Sequence, residues 1–398
     1  MTRANRRAIL DEATLQLALS GIRGTTLRKI GAQSGTNFTR LASSYGGKDK
    51  LIAACFADVV DRDLHRLTAL ADELGSNSLI SLLWAICEDA GGSRRTDNLV
   101  LTELLLASGR PDLDEIFRYW IRERRDRLRA IAGRNGIDLL VVDILGLFVL
   151  MECGFAVSNY DSLNYRLIAR AGLEEAVHRL LGTSQRHHDD QFEALVADYY
   201  VAPRDRTAPD GDGETEGGKS QIVNAAAEIF LEQGPEHLTN RAVAQRAGVS
   251  LALTTYHFRS ITELTLAAGR RAVESFLDSL ELDTTVRDKQ GRTLPHVWRS
   301  RLGDSEQINH GLLRVSLTAA RVPSEAHLGN LVRRQMGLAA YAAVDSGKRG
   351  SEVSRTAAAT YSLWAGACYL VSRSFSPDVQ PYDFDAQAAL AGRCLLGF

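Results

Sequence analysis

The sequence is poor in the residues that usually carry redox or metal chemistry. Its 398 residues include only five cysteines, with no CxxC pair and no histidine at a metal-ligand spacing. Each cysteine lies in an apolar stretch typical of a helix, so we expect reduced, buried thiols and no metal site. The five are Cys55, Cys87, Cys153, Cys368 and Cys394. The cluster "HHDD" at 187–190 could ligate a metal, but its place shortly before the Pro-, Gly- and acid-rich stretch 202–218 favours a solvated turn.

Uninterrupted apolar runs are also missing. The N-terminal residues 1–21 contain no apolar segment of signal-peptide type and no cleavage site. The most apolar stretch, 139–157, is interrupted by Asp143 and Glu152. Carboxylates are costly at the centre of a bilayer, so we interpret this stretch as a buried helix and not as a membrane span. We therefore expect a cytoplasmic protein.

Net charge is nearly absent, since 47 Lys and Arg face 49 Asp and Glu. A role with nucleic acid would have to come from a local basic patch. The sequence has no nucleophile elbow, no glycine-rich phosphate loop, no HExxH and no convincing pair of carboxylates. It therefore predicts neither an enzyme nor a need for a cofactor. The length suits two or more domains.

An internal repeat is present instead. A shift of 213 residues aligns 6–51 with 219–264 without a gap. Apolar residues recur on the same faces even where identity is low, as in Leu17/Phe230 and Tyr45/Phe258. Seven positions are identical: Ile9/Ile222, Ala13/Ala226, Gly21/Gly234, Thr26/Thr239, Arg28/Arg241, Gly35/Gly248 and Leu51/Leu264.

Each copy predicts three short helices. Apolar residues at three- and four-residue spacing indicate a first helix near 5–20 and 219–233, which a glycine ends. A threonine, Thr26 or Thr239, stands where the second helix needs an N-cap. Gly35 or Gly248 then breaks the chain before a third helix. A helix, a turn with glycine and a second helix form the arrangement that presents a recognition helix to DNA.

Both copies resemble the DNA-binding domain of the TetR family of bacterial regulators. The second carries the resemblance best, in "GPEHLTNRAVAQRAGVSLALTTYHFRSITEL" at 234–264, with its "AGVS" turn and "YHF" ending. The first keeps "TTLRKIG", Gly35, Leu41, Tyr45 and "KDKL", but its turn reads "SGTN" and its helix ends in "ASSY". The resemblance implies an all-α fold of two tandem units. Each unit would be a three-helix head followed by a helical regulatory domain.

Family members are about half this length and act as homodimers, so the chain resembles a dimer fused end to end, a covalent pseudo-dimer. The predicted domains are a first head at 1–50, a first regulatory domain at 51–186, a linker at 187–218, a second head at 219–263 and a second regulatory domain at 264–398. The linker is placed by the Pro-, Gly- and acid-rich stretch 202–218. In the family the last two helices of each unit form a four-helix interface. The apolar runs 139–157 and 357–371 would supply it within one chain, although pairing between chains stays open.

The resemblance and the chemistry of DNA recognition together suggest the contact residues. Ser44 stands where the family has bulkier groups, Lys48 matches a family phosphate contact, and in the second head Ile261 replaces that lysine. Residues 1–60 hold nine Lys and Arg against four Asp and Glu, whereas 219–265 hold four of each. The predicted contacts are Thr26, Arg28, Asn37, Phe38, Thr39, Arg40, Ser44 and Lys48 in the first head, and Thr239, Arg241, Ser250, Leu251, Ala252, Thr254, Thr255, Tyr256 and His257 in the second.

The regulatory halves predict six helices each, near 50–74, 78–90, 95–108, 112–132, 138–158 and 162–182, and near 262–280, 292–301, 305–321, 324–345, 352–374 and 384–396. Regulatory domains of this family hold a small ligand among apolar and aromatic groups. A residue of this kind is more often ordinary core than part of a ligand wall. The candidates are Trp84, Phe117, Trp120, Phe155, Trp298, Tyr341, Tyr361 and Trp364.

The sequence therefore predicts a DNA-binding transcriptional regulator. The preferred form is a repressor whose two non-identical heads read one operator and which a small apolar or aromatic ligand releases. The alternative is a ligand sensor or protein-interaction module that has lost DNA binding, and the altered first head motivates it.

Overall fold

The computed structural model describes residues 3–74, 79–183, 195–196, 199, 215–233, 237–283, 311–322, 328–334, 341 and 353–397. All regular structure within these ranges is helical, which confirms the predicted all-α class. Trp298, Gly234, the "HHDD" cluster, the predicted helix 292–301 and most of the proposed linker lie outside the described residues.

The first half of the chain forms nine helices within its described ranges. Helices α4 to α9 each begin and end within two residues of the predicted positions. The helices are α1 (Arg3–Gly24), α2 (Leu27–Gln33), α3 (Phe38–Tyr45), α4 (Lys48–Leu74), α5 (Leu79–Gly91), α6 (Arg95–Leu106), α7 (Asp114–Gly133), α8 (Leu139–Asn159) and α9 (Leu163–Leu181).

The second half repeats the order of the first head and ends in two longer helices. Residues 311–321 and 328–334 are also helical. The α-helices of this half that receive a label here are α10 (Thr215–Gln233), α11 (Asn240–Ala247), α12 (Leu251–His257), α13 (Ile261–Asp283), α14 (Arg355–Ser372) and α15 (Phe384–Leu396).

Contacts divide the chain into two compact units that do not follow the two halves of the sequence. The first unit joins Met1–Arg186 to the C-terminal segment Thr360–Phe398, and the second is His187–Ala359. Within the first unit α15 packs against α8 and α9. The end of the predicted domain 264–398 therefore lies in the same unit as the first head. Helices α8 and α9 are largely buried, and α15 covers part of their surface.

Helix α8 forms the centre of the first unit. Residues 141–157 are all buried, and α5, α6, α7, α9 and α15 surround the helix. It is long and apolar enough to cross a membrane, with a mean hydropathy of 2.2, but 94% of its most apolar window is buried inside the protein. This environment confirms the interpretation as a buried helix.

The two carboxylates of α8 are satisfied inside the protein. Arg129 donates to Asp143 from Nε at 2.8 Å and from Nη2 at 2.5 Å. Burial raises the pKa of Asp143, and the Arg129 guanidinium opposes that rise. Glu152 accepts a 2.7 Å hydrogen bond from the Tyr165 hydroxyl. Paired in this way, the carboxylates can occupy a core helix.

Candidate DNA-binding heads and effector cavity

The first head is a helix-turn-helix with both predicted caps in place. Thr26 Oγ1 accepts from the Lys29 amide at 3.3 Å and caps α2. Asn37 Oδ1 accepts from the Thr39 amide at 2.8 Å and caps α3. Between them Gly35 has φ +65°, a conformation that L side chains rarely adopt. The local chemistry of the sequence therefore sets where both helices begin.

The second head uses the same devices at the corresponding positions. Thr239 Oγ1 accepts from the Ala242 amide at 3.0 Å and caps α11. Ser250 Oγ accepts from the Leu253 amide at 3.2 Å and caps α12. Gly248 ends α11 with φ +68°. As in the first head, the long flanking helices α10 and α13 pack together and hold the short pair.

The turns of the two heads differ in their tightness. A methyl group on Gly31 would lie 2.5 Å from the carbonyl oxygen of Thr36, so the first turn needs glycine there. The aligned residue in the second head is Ala244, which is buried, so the second turn has room for a methyl group at this position. The first head has therefore diverged in backbone packing as well as in surface chemistry.

Helix α3 exposes most of its predicted contact residues. Phe38 is 51% exposed, and Thr39, Arg40 and Ser44 are exposed as well. The Arg28 guanidinium lies 6.0 Å from the Phe38 ring, which links α2 to the start of α3. Among the described residues no hydrogen bond or ion pair engages the Arg40 guanidinium. Its charge is therefore available to a phosphate or a guanine edge.

Lys48 lies at the start of α4 and is held by the protein. Its ammonium group donates to the carbonyl oxygen of Arg23 at 3.4 Å, which places it between the end of α1 and the start of α4. To contact a DNA phosphate, the Lys48 ammonium group would have to donate to the phosphate in addition to the Arg23 carbonyl oxygen, or in place of it.

Helix α12 presents a more apolar surface. Leu251 is 50% exposed and Tyr256 is 74% exposed, and Ala252 and Thr255 lie beside them. The Thr255 hydroxyl donates back to the carbonyls of Leu251 and Ala252. The exposed face could contact DNA through the Tyr256 hydroxyl and through thymine methyl groups.

Two predicted contacts of α12 need correction. Thr254 is fully buried, and its hydroxyl has no hydrogen-bond partner among the residues that the structure describes. It shares the inner face of the helix with Phe258, four residues on, so it supports the head instead of reaching DNA. His257 packs edge-to-face on Tyr256 at 5.2 Å, and its Nε2 is buried without a partner. That nitrogen is therefore not positioned for a phosphate.

Some of the positively charged side chains of the second head form ion pairs within the protein. Arg246 donates to Glu232 at 2.9 Å and to Glu228 at 3.3 Å, and this interaction lowers the pKa of Glu232. Arg241 is exposed, and within the described ranges its side chain makes no hydrogen bond or ion pair. The charge that remains for DNA is smaller than in the first head.

A cavity of about 40 Å³ lies within the first unit, among α4, α5, α6, α7 and α8. Its charged wall is organised as ion pairs: Arg124 with Asp63 at 2.9 Å, Arg66 with Asp89 at 2.6 Å, and Arg94 with Asp97 at 2.7 Å. The full lining is Asp63, Arg66, Leu67, Leu70, Ile86, Asp89, Ala90, Arg94, Asp97, Asn98, Leu101, Trp120, Arg124, Leu150 and Cys153.

Of the seven aromatic ligand candidates that the structure describes, Trp120 alone lines this cavity, where its Nε1 donates to Asp63 Oδ2 at 2.8 Å. Phe117 and Phe155 are buried and Trp84 is half-buried, all away from the lining. The expectation that these aromatic candidates line a ligand site therefore stays a prediction.

The remaining candidates lie elsewhere. Tyr361 is buried, and Trp364 is buried with its Nε1 bonded to Gln387 Oε1 at 3.0 Å. Tyr341 is half-buried, with the Arg355 guanidinium 5.4 Å from its ring. None of the three lines the cavity of the first unit.

Sequence reasoning missed the charged residues of this cavity. Arg124 is surrounded by other arginines in 122–129, which suggests a solvated surface. The signal that could have found it is its spacing from Trp120 and Leu128, four residues away on either side and both buried.

The heads define a class of protein: a helical protein with helix-turn-helix heads suited to a DNA groove. Residues 222–268, which cover the second head, match the family described as bacterial regulatory proteins, tetR family. No curated protein matches the chain in sequence. The family match supports a DNA-binding transcriptional regulator.

Proposed function

We propose that the chain is a covalent pseudo-dimer, a tandem duplication of two TetR-like units whose two non-identical heads read one operator. The repeated order of helices, caps and positive-φ glycines in the two heads carries this proposal. We also propose that the protein is cytoplasmic and that it represses transcription. Its exposed contacts are those of α3 and α12 other than Thr254 and His257.

The packing of the C-terminal segment supports pairing within one chain. In a homodimer of this family, the last helices of one subunit pack on those of the other. Here α15, from the end of the second copy, packs on α8 and α9 of the first. A single chain therefore supplies both sides of that contact.

A small-molecule effector would release the operator by acting on α4. This helix begins at Lys48 beside the recognition helix α3 and continues to Asp63, Arg66 and Leu67 in the cavity wall. A ligand that binds better to one position of α4 would shift the population of head arrangements. The sequence pattern favours an apolar or aromatic effector, whereas the cavity lining adds charged groups to that description.

The alternative is a sensor or interaction protein that has lost DNA binding. The observation that favours it is the neutral second head, in which Arg246 is bound by two glutamates while Leu251 and Tyr256 are exposed. An exposed apolar face can also meet a protein.

The test is a fluorescence-anisotropy titration of the protein with DNA from upstream of its own gene, at two salt concentrations. The mass of the complex is measured by light scattering. Affinity should fall by about 0.9 log unit per log unit of salt for each neutralised phosphate. One chain per site establishes the pseudo-dimer, and two chains per site place the pairing between molecules. Binding that is absent or indifferent to salt favours the sensor.

A further inference from the structure

Arg124 has an unused donor edge inside the cavity of the first unit. The residue is 5% exposed, and Nη1 donates to Asp63 Oδ2 at 2.9 Å. Its Nε is buried, and no described group accepts a hydrogen bond from it. Across the described part of the chain no hydrogen bond reaches Nη2 either. In a guanidinium group the Nε–H bond and one Nη2–H bond are parallel and form one edge. This edge of Arg124 can therefore donate two hydrogen bonds to a ligand.

The other charged groups of the cavity are already engaged. Asp63 Oδ2 accepts from both Trp120 and Arg124. Arg66 donates to Asp89, and Asp97 accepts from Arg94 and pairs with Arg62, both at 2.7 Å. The three carboxylates in the lining are thus compensated, which reduces their repulsion toward an incoming anion.

The edge formed by Nε and Nη2 matches a carboxylate, because two parallel N–H groups can meet its two oxygens. The lining also contains the apolar side chains of Leu67, Leu101 and Leu150, which suit a short hydrocarbon. A cavity of about 40 Å³ has room for roughly three water molecules, so the ligand must be small. We propose that this cavity binds a short-chain aliphatic monocarboxylate through the Nε and Nη2 edge of Arg124.

This inference deepens the effector site of the proposed function, and its regulatory meaning rests on that function. Binding itself does not require DNA. If a carboxylate binds but the affinity of the protein for the operator does not change, the binding site is supported. Only its role in releasing the operator is then rejected. Loss of DNA binding with carboxylate binding retained points to a sensor.

The experiment is isothermal titration calorimetry of the full-length protein with acetate, propionate and butyrate, and with propionamide as the neutral counterpart of propionate. At least one carboxylate should bind with a Kd of about 1 mM or tighter, and propionamide at least tenfold more weakly. Equal binding of propionate and propionamide overturns the proposal, and so does the absence of binding by all three acids.

The matched variants are Arg124→Lys and Arg134→Lys. A lysine at 124 retains a cation for Asp63 but lacks the two-donor edge, so carboxylate affinity should fall at least tenfold. Arg134 is exposed at the end of α7, and its variant should bind within twofold of the wild type. Circular dichroism and thermal unfolding check that both variants fold. Wild-type affinity in a folded Arg124→Lys variant contradicts the assignment, and the comparison of acid with amide stands even if that variant unfolds.

Discussion

The hydroxyl of Ser374 donates to Oδ1 of Asp114 at 2.8 Å, although 260 residues separate the two in the chain. The same hydroxyl accepts from the Gly109 amide at 2.8 Å. Arg118 donates to the Ser374 carbonyl at 3.3 Å, and Arg125 donates to the Pro381 carbonyl. The C-terminal segment is therefore attached along α7, the helix whose other face carries Trp120 and Arg124.

Removing the Ser374 hydroxyl should destabilise the first unit. Ser374→Ala leaves the Asp114 carboxylate with one acceptor position unfilled, so we expect the free energy of unfolding to fall by about 1 kcal/mol. Denaturant unfolding followed by tryptophan fluorescence measures the change. Ser376→Ala is the control, because Ser376 is exposed and makes no side-chain cap bond. Equal losses in both variants would show that the Ser374 contact contributes nothing specific.

Deleting the C-terminal segment from Thr360 onward should expose apolar surface of α8 and α9. We expect the shortened chain to aggregate or to pair through that surface, since large exposed apolar patches favour association. Size-exclusion chromatography with light scattering compares it with the full chain. A monomeric product as stable as the full chain would mean that α15 is dispensable.

Arg40 should contribute strongly to DNA binding by the first head. Arg40→Ala removes a cation that no described neighbour holds, and we expect operator affinity to fall about 5- to 150-fold, or about 1–3 kcal/mol for a base contact. Anisotropy at one fixed salt concentration measures it. Arg134→Ala, which removes an exposed charge outside the heads, should stay within twofold. If both variants bind alike, α3 does not read DNA.

Thr254 should matter for stability and not for recognition. Its hydroxyl is buried without a partner, so replacement by the similarly shaped valine removes a polar group that nothing satisfies. Thr254→Val should therefore leave operator affinity unchanged and keep or raise the melting temperature. Differential scanning calorimetry and anisotropy test the two halves of this prediction. If a stable Thr254→Val variant lost affinity for DNA, Thr254 would have to be counted among the residues that contact DNA.

The thiols should react in an order set by burial. Burial raises the pKa of Cys55 to about 12, so its thiolate remains scarce at pH 7 and at pH 9. Cys394 is half-buried, and its pKa is raised less far. A thiol-reactive chromophore, followed by peptide mass spectrometry, should label Cys394 before Cys55. In denaturant all five should react, and rapid labelling of Cys55 in the folded protein would contradict its burial.

The helices of this protein could be predicted from the sequence because their determinants are local. Thr26, Asn37, Thr239 and Ser250 bond to amides two or three residues away, and the apolar spacing repeats within single helices. The exposed face of α12 was harder. The motif identified the right helix, but only its packing shows that Thr254 points inward.

The sequence by itself determined the helical class, the positions of the described helices and the helix-turn-helix order of both heads, since caps, glycines and periodicity act over a few residues. Tertiary structure decided the cavity and the place of the chain's end. Asp63 meets Trp120 across 57 residues and Arg124 across 61, and Ser374 meets Asp114 across 260. Such pairs depend on which helices pack together, and the packing follows from the burial of whole apolar faces, which no short pattern encodes.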